Sequence, residues 1–371
     1  MTQDATRPLR LGIVGCGSIS HWHGRAAAQL SEVDIVACCD IKAEVAEAWR
    51  DTYGCERAFT DLETMVREHE LDAVLLATWP QQHLEQIQVC IDAGIQSILC
   101  EKSLTVRDED AIAVFDAARA AGVLLVEGFM YRHHPAMRKI DEILGSGQLG
   151  QIDNVSAAFE NYDPETEDPN GPRDWRQRAD LDGGVPYDLL CYAVNAANHA
   201  AGSVPTSVMA ISRRSERYDT VNRVYGLIEY ENGAVGRVHS SKRGSHDYEL
   251  RISGEHGRLI LPIIVTPDRI PPRHYFEEGD YSEVYLSRMS DWFTYETEAI
   301  RIPAADPYLF ELRDFAATVQ GAREQEPALA ESVLNIHTIN ALLTSAQERV
   351  AVPIELPAHI RAELAGATEP V

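Results

Sequence analysis

Near-continuous apolar runs alternate with amphipathic stretches through the first third of the chain. The runs are LGIVG (11–15), VDIVACCD (33–40), AVLLAT (73–78), QSILCE (96–101) and VLLVEG (123–128). Between them a 3.6-residue period predicts helices near 19–30, 42–53, 82–93 and 107–121. Strands apolar on both faces and alternating with helices build a parallel sheet covered on both sides. The expected fold class is therefore α/β, beginning with a doubly wound domain over residues 1–126.

From residue 127 the period changes. A helix is expected near 135–145, ending at GSGQLG. Period-two stretches follow: IDNVSAAFENY, VMAISRRSE, RVYGLIEYENGAVGRVHSS and YELRISGEHGRLILP. The turns ENG (231–233) and GEHG (254–257) carry hairpin chemistry. These strands predict a mostly antiparallel sheet with one polar face. A helix over 185–201 interrupts them, and two more follow near 306–321 and 327–348. The proline-rich stretch DPETEDPNGPRDW is too long for a simple connector. A second domain is thus expected over 127–371.

Composition narrows the function class. The 371 residues carry a net charge of −25, with 45% hydrophobic and 25% charged residues. Such acidity argues against nucleic acid and anionic membrane as partners. The first residues lack the apolar core of a signal peptide, and no apolar run approaches the length of a membrane span. The seven cysteines form no CxxC pair and fall mostly inside apolar patterns. Free, buried thiols in a reducing cytoplasm are the expectation. The pairs His21/His23 and His133/His134 lack further ligands at metal spacing, so packing or hydrogen bonding is expected and no metal.

Candidate chemistry begins after the first strand, at Gly15-Cys-Gly17-Ser18-Ile19-Ser20. Gly15 permits a tight turn, and Gly17 lets backbone N–H groups approach a pyrophosphate at a helix N-terminus. Asp40 ends the next strand twenty residues past Ser20, where a carboxylate accepts bonds from ribose hydroxyls and repels a 2′-phosphate. NAD is favoured, with NADP possible because Lys42 lies close by. Lysine is scarce: only Lys42, Lys102, Lys139 and Lys242 occur. Lys102 leaves the carboxyl end of a parallel strand, the edge where such sheets bind ligands. Its ammonium there would hydrogen-bond a substrate hydroxyl with a proton that can be lost, as an arginine's cannot. Glu101 either offsets that charge or binds the cofactor. In the later stretch DGGVPYDLLCYAVNAANH, helical spacing aligns Asp188, Tyr192, Asn195 and His199 on one polar stripe. The last two are read as hydrogen-bonding groups, the first two as ligand contacts.

GIVGCGSIS, CEKSLT, EGFMYRHHP and GGVPYDLLCYAVN, in this order, resemble the Gfo/Idh/MocA oxidoreductases, and the resemblance covers essentially the whole chain. It implies a Rossmann domain followed by an α/β domain with an open, mostly antiparallel sheet. It further implies hydride transfer between a nicotinamide cofactor and a hydroxyl-bearing carbon of a sugar or polyol. The motif lysine corresponds to Lys102. The helical aspartate and the tyrosine that replaces histidine in one branch correspond to Asp188 and Tyr192. That branch resembles glucose–fructose oxidoreductase, pyranose 1-dehydrogenases and dihydrodiol dehydrogenase. The usual EKP is EKS here, with Ser103 in place of proline. The expected catalytic set is Lys102, Tyr192 and Asp188. The expected cofactor contacts are Gly15, Gly17, Ser18, Ile19, Asp40, Thr78, His83, Glu101 and Lys102. Arg132, His133, Arg173 and Trp175, together with Arg176, are candidates for lining the sugar, with Asp188 and Tyr192. A homodimer or homotetramer is expected by analogy. Two other readings stand beside this one: a glycosidase using transient NAD-dependent oxidation, and a non-catalytic dinucleotide sensor.

Overall fold

The computed structural model describes residues 7–162, 175–245, 247–262, 281–291 and 294–367. The chain divides into two compact units, Met1–His133 with Asp306–Val333, and His134–Ala305 with Leu334–Val371.

In the first unit the apolar runs form β1 (Leu9–Val14), β2 (Val33–Cys39), β4 (Ala73–Leu76), β5 (Ser97–Glu101) and β6 (Leu124–Gly128), joined by a short β3 (Arg57–Phe59). All pairings are parallel, in the order β3-β2-β1-β4-β5-β6. The strand order reverses between β1 and β4, which opens a crevice at the strands' carboxyl ends. Around the sheet lie α1 (Ser20–Ala27), α2 (Ala43–Tyr53), α3 (Leu62–Glu68), α4 (His83–Asp92) and α5 (Asp108–Ala121). Leu11, Ile13, Leu75, Leu76, Ile98 and Leu99 are almost wholly excluded from solvent, as strands covered on both faces require.

The first unit also takes in residues beyond the expected boundary at 126. The segment Met130–His133 and the distant helix α8 (Pro307–Val319) both belong to it. Leu312 and Phe315 of α8 are buried. Asp306 caps this helix by accepting from the Tyr308 N–H, and Pro307 occupies its first turn, where no amide proton is needed.

The second unit is built on a nine-stranded sheet. Its strands are β7 (Ile152–Glu160), β8 (Pro205–Arg214), β9 (Val221–Tyr230), β10 (Val235–Ser241), β11 (Leu250–Gly254), β12 (Gly257–Leu261), β13 (Tyr281–Asp291), β14 (Thr294–Pro303) and β15 (Val352–Pro353). Their order is β14-β13-β12-β11-β7-β10-β9-β8-β15, antiparallel throughout except for the β7–β10 pair. Helices α6 (Pro135–Gly145) and α7 (Cys191–Ala201) lie in this unit, as does α10 (Ala358–Ala367), while α9 (Leu329–Glu348) begins in the first unit and continues here. Buried and exposed residues alternate along β9, so one face packs inward. The other face is less polar than expected: Met209, Ile211, Tyr225 and Leu227 stand exposed on it, paired as Met209↔Leu227 and Ile211↔Tyr225.

The helix expected from Val185 is not regular. Pro186–Leu190 form a π-turn, in which the Leu190 N–H reaches the Val185 carbonyl, before α7 begins at Cys191. The extra residue in that turn breaks the even stripe from Asp188 to His199.

Candidate active site

The glycine turn follows β1 as its sequence predicts. Gly15 has φ +88°, and a Cβ there would stand 2.7 Å from the Ala77 carbonyl oxygen, so only glycine fits between β1 and the end of β4. Gly17 and Ser18 are exposed, and a Cβ on Gly17 would meet nothing. Ser20 takes the place of the usual third small residue and closes the turn with its hydroxyl on the Gly17 carbonyl, 2.6 Å away. Ile19 precedes α1, whose first turn has no acidic residue and no side-chain cap. An open backbone loop above an uncapped helix start fits the pyrophosphate of a dinucleotide. Asp40 follows β2 and accepts from the Cys16 and Lys42 N–H groups at 3.0 Å each, one per oxygen. It therefore braces the glycine loop and keeps a second lone pair on each oxygen for a ribose.

Thr78 follows β4, on the other side of the crevice, and its hydroxyl donates to Gln86 at 2.5 Å. His83, expected to touch the cofactor, instead lies beneath the surface. It is fully buried, with Nδ1 3.1 Å from the Ser103 and Leu104 carbonyls and Nε2 3.3 Å from the Thr78 carbonyl. Burial holds its pKa below the ordinary value, against the pull of those carbonyls. A neutral ring donating from Nδ1 ties the start of α4 to the backbone at Ser103 and Leu104.

Glu101 and Lys102 end β5. The Glu101 carboxylate accepts from the Lys102 N–H (3.2 Å) through Oε2 and lies 2.7 Å from His23 Nε2 through Oε1. Two residues on, the Leu104 N–H donates to Glu127 Oε1 at 2.7 Å. Glu127 is fully buried, and burial raises its pKa from 4.5 to about 7. With Ser103 replacing the family proline, the backbone after Lys102 is thus held by side chains: Glu101, Glu127 and His83.

In the second unit Asp188 sits in the π-turn, 7% exposed. Its Oδ1 accepts from Arg176 Nε at 2.8 Å and its Oδ2 lies 3.2 Å from Lys242 Nζ. Lys242, at the end of β10, is 2% exposed, and sequence reasoning overlooked it. Arg176 and Lys242 thus fix the Asp188 carboxylate from both oxygens, an arrangement suited to orienting a ligand. Tyr192, one turn on, is 5% exposed and lies flat on Phe159, ring centroids 4.8 Å apart. His199, read as a hydrogen-bonding group, pairs with Asp141 at 2.6 Å.

The proposed sugar-lining set fares differently. Arg132 is buried and reaches Glu326 and Glu331 at 3.3 and 3.1 Å, and His133 is buried with Nδ1 2.7 Å from Asp314. Both serve the interior of the first unit, because their acidic partners lie on the distant segment that joins it. Trp175 is buried, with the Arg176 guanidinium 5.1 Å from its ring centroid, so the indole has no free face turned to solvent. Arg173 lies outside the described residues. The remaining histidines of the two pairs also make hydrogen bonds: His21 to the Tyr53 hydroxyl and His134 to the Ala136 N–H, capping α6. All seven cysteines are free and buried, and burial pushes Cys39 and Cys90 up to about 12, far from a reactive thiolate.

Comparison with known proteins bears on this geometry. Residues 9–129 match the oxidoreductase family with an NAD-binding Rossmann fold, and residues 137–260 match the GFO/IDH/MocA C-terminal domain. A D-xylose 1-dehydrogenase (NADP(+)) of Haloferax volcanii is 30% identical over 94% of this chain and 100% of its own. The chain belongs to the Gfo/Idh/MocA oxidoreductase family. Another relative in sequence is a dTDP-3,4-didehydro-2,6-dideoxy-alpha-D-glucose 3-reductase of Actinomadura kijaniata, 25% identical over 92% of this chain and 96% of its own. Among solved structures, levoglucosan dehydrogenase in complex with NADH superposes with a TM-score of 0.82 over 94% of this chain and 100% of that one, at 19% identity, a likeness of fold. As a Gfo/Idh/MocA member the chain pairs a nicotinamide-binding Rossmann sheet with a mixed, mostly antiparallel sheet.

Proposed function

We propose that this protein oxidises a hydroxyl of a sugar or sugar derivative, or reduces the matching carbonyl, with NAD preferred over NADP. The observation that carries the reading is Lys102 at the carboxyl end of β5, on the same edge of the sheet as the glycine loop. That edge is where open α/β sheets bind dinucleotides. The relatives named above act on sugars by their names, which supports the substrate class. When bound, the cofactor supplies the hydride acceptor or donor. Gly15, Gly17, Ser18 and Ile19 hold its pyrophosphate, Asp40 its ribose, and Thr78 and Glu101 flank it. Lys102 and Tyr192 move the proton of the reacting hydroxyl, while Asp188, fixed between Arg176 and Lys242, orients the sugar. The dinucleotide is the charge of residues 1–126 and the sugar that of residues 127–371.

The same reading extends to assembly and location. A second copy covers the exposed Met209, Ile211, Tyr225 and Leu227 face, since an apolar patch of this kind marks an interaction surface. The buried free thiols suit a reducing cytoplasm. The test is a screen of pentoses, hexoses, glycosides and cyclitols with NAD and NADP, followed by the absorbance of the reduced nicotinamide. A sugar turned over faster with NAD supports the proposal. Failure of every sugar with both cofactors, in a protein that binds NAD, overturns the substrate class. Light scattering that finds a monomer overturns the assembly.

A further inference from the structure

A line of buried proton-carrying groups runs through the first unit, and beyond its first member it takes no part in the reading above. It starts at Glu101, whose Oε1 lies 2.7 Å from Nε2 of His23 on α1. The other ring nitrogen, Nδ1, is 3.9 Å from Oε2 of Glu311 on α8, too far for a hydrogen bond. His23 is 0% exposed and Glu311 1%. His23 Nδ1 and both oxygens of Glu311 have no hydrogen-bond partner among the described residues. A carboxylate cannot stay ionised there. Burial first, then the charges of Glu101, Asp306 and Asp314, raises the Glu311 pKa well above its ordinary value. Its surroundings therefore favour the protonated form.

Beyond Glu311 lies an enclosed cavity of about 10 Å³, at the lower limit for one water. Its walls include His133, Asp314, Thr318, Arg323 and Glu326. The Nε2 of His133 also lacks a partner. The rest of the lining, from Leu99, Val126 and Phe315, is apolar, so a water there would rest on Glu311 and His133. From His133 the line continues to Asp314 at 2.7 Å, and Asp314 Oδ1 lies 3.3 Å from Arg323, whose side chain is 31% exposed.

We propose that Glu101, His23 and Glu311 form a proton store coupled to the charge of the nicotinamide ring, emptied and refilled through the cavity and the His133–Asp314 pair. The proposal rests on the reading that Glu101, next to Lys102, flanks the bound cofactor. An oxidised ring carries a positive charge and a reduced ring none. A positive ring beside Glu101 expels the stored proton to solvent. When hydride adds to the ring, bringing two electrons and one hydrogen nucleus, the charge vanishes and one proton returns from bulk water. The proton of the substrate hydroxyl leaves separately, so the net reaction is unchanged.

Calorimetric titration of the protein with NAD+ and with NADH, in buffers of different ionisation enthalpy at about pH 8, counts the protons exchanged on binding. The expected result is release of roughly half to one proton with NAD+ and little with NADH. Glu311→Gln keeps the side chain's shape and should bind both cofactors with the release abolished. Equal proton counts for the two cofactors, or release that persists in Glu311→Gln, would overturn the proposal. If that variant does not fold, infrared difference spectra of the native protein decide. The protonated carboxyl band should fade with NAD+ and persist with NADH, and a band that is absent or indifferent to both refutes the store. No binding heat with either cofactor would sink the cofactor reading along with it, whereas binding without proton exchange sinks the store alone.

Discussion

Glu127 offers a test of how burial acts beneath Lys102. Its carboxyl is fully buried and accepts a backbone N–H from Leu104. Its pKa rises from 4.5 in the free side chain to about 7 in the fold. A raised folded-state pKa means the native protein binds the proton more tightly than the unfolded chain. Its contribution to stability is thus complete below pH 4.5 and is lost as pH climbs through about 7. At about 1.4 kcal/mol per pH step, the loss amounts to about 3 kcal/mol by pH 8. Glu127→Gln keeps the oxygen that accepts from Leu104 and cannot ionise, so it should lack this slope. The two proteins should be nearly equal at about pH 5, and the variant more stable by up to about 3 kcal/mol at pH 8. Urea unfolding followed by fluorescence, with Trp22, Trp49 and Trp79 reporting on the first unit, measures both. Because Glu311 and every other titrating group is common to the two, the difference isolates Glu127. Parallel pH slopes, or a variant less stable than the parent at pH 8, would show that the ionised carboxylate is welcome where it sits and refute the reasoning.

Lys102→Met should leave NAD binding largely intact and lower turnover about a hundredfold or more, and near-normal kcat would return Lys102 to an ordinary strand end. Tyr192→Phe keeps the stack on Phe159, so proton transfer predicts a large fall in kcat with little change in KM, while simple packing predicts neither. Asp40→Ala removes two bonds that brace the glycine loop, so both cofactors should weaken, NAD more than NADP; an unchanged ratio of their affinities would show that the carboxylate does not meet the ribose. Lys242→Met strips one of two cations from the buried Asp188 and should cost about 3 kcal/mol in chemical unfolding, with a loss under about 1 kcal/mol arguing that Arg176 alone suffices.

The parallel sheet was legible because strands buried on both faces leave unbroken apolar runs, and β1, β2, β4, β5 and β6 each match one. β3 is three residues long and has no such run. β14 was invisible for the opposite reason: nearly all its residues are exposed, so no alternation marks it. The site was read unevenly. Gly15, Asp40 and Lys102 follow strands whose ends the pattern fixes, and each lies where expected on the sheet. The aligned stripe from Asp188 assumed a constant helical period that the π-turn breaks. Arg132 and His133 looked like pocket residues because they follow the last strand of the parallel sheet; Asp314, Glu326 and Glu331 engage them from far along the chain. For Lys242 a signal existed. It is one of four lysines and ends a period-two run, as Lys102 ends an apolar one.

The recruitment of α8 into the first unit bears on how the chain is made. A ribosome delivers residues 1–133 long before Pro307, and domains usually close in the order of their synthesis. Here the early sheet emerges without the segment 306–333, which lines a cavity with Leu99 and Val126 and answers Arg132 and His133. The nascent Rossmann half must wait, partly uncovered, while β7 to β14 of the second sheet are translated. A fragment cut at residue 133 reproduces that waiting state, and should be sticky and chaperone-dependent until a peptide carrying Asp306–Val333 is supplied.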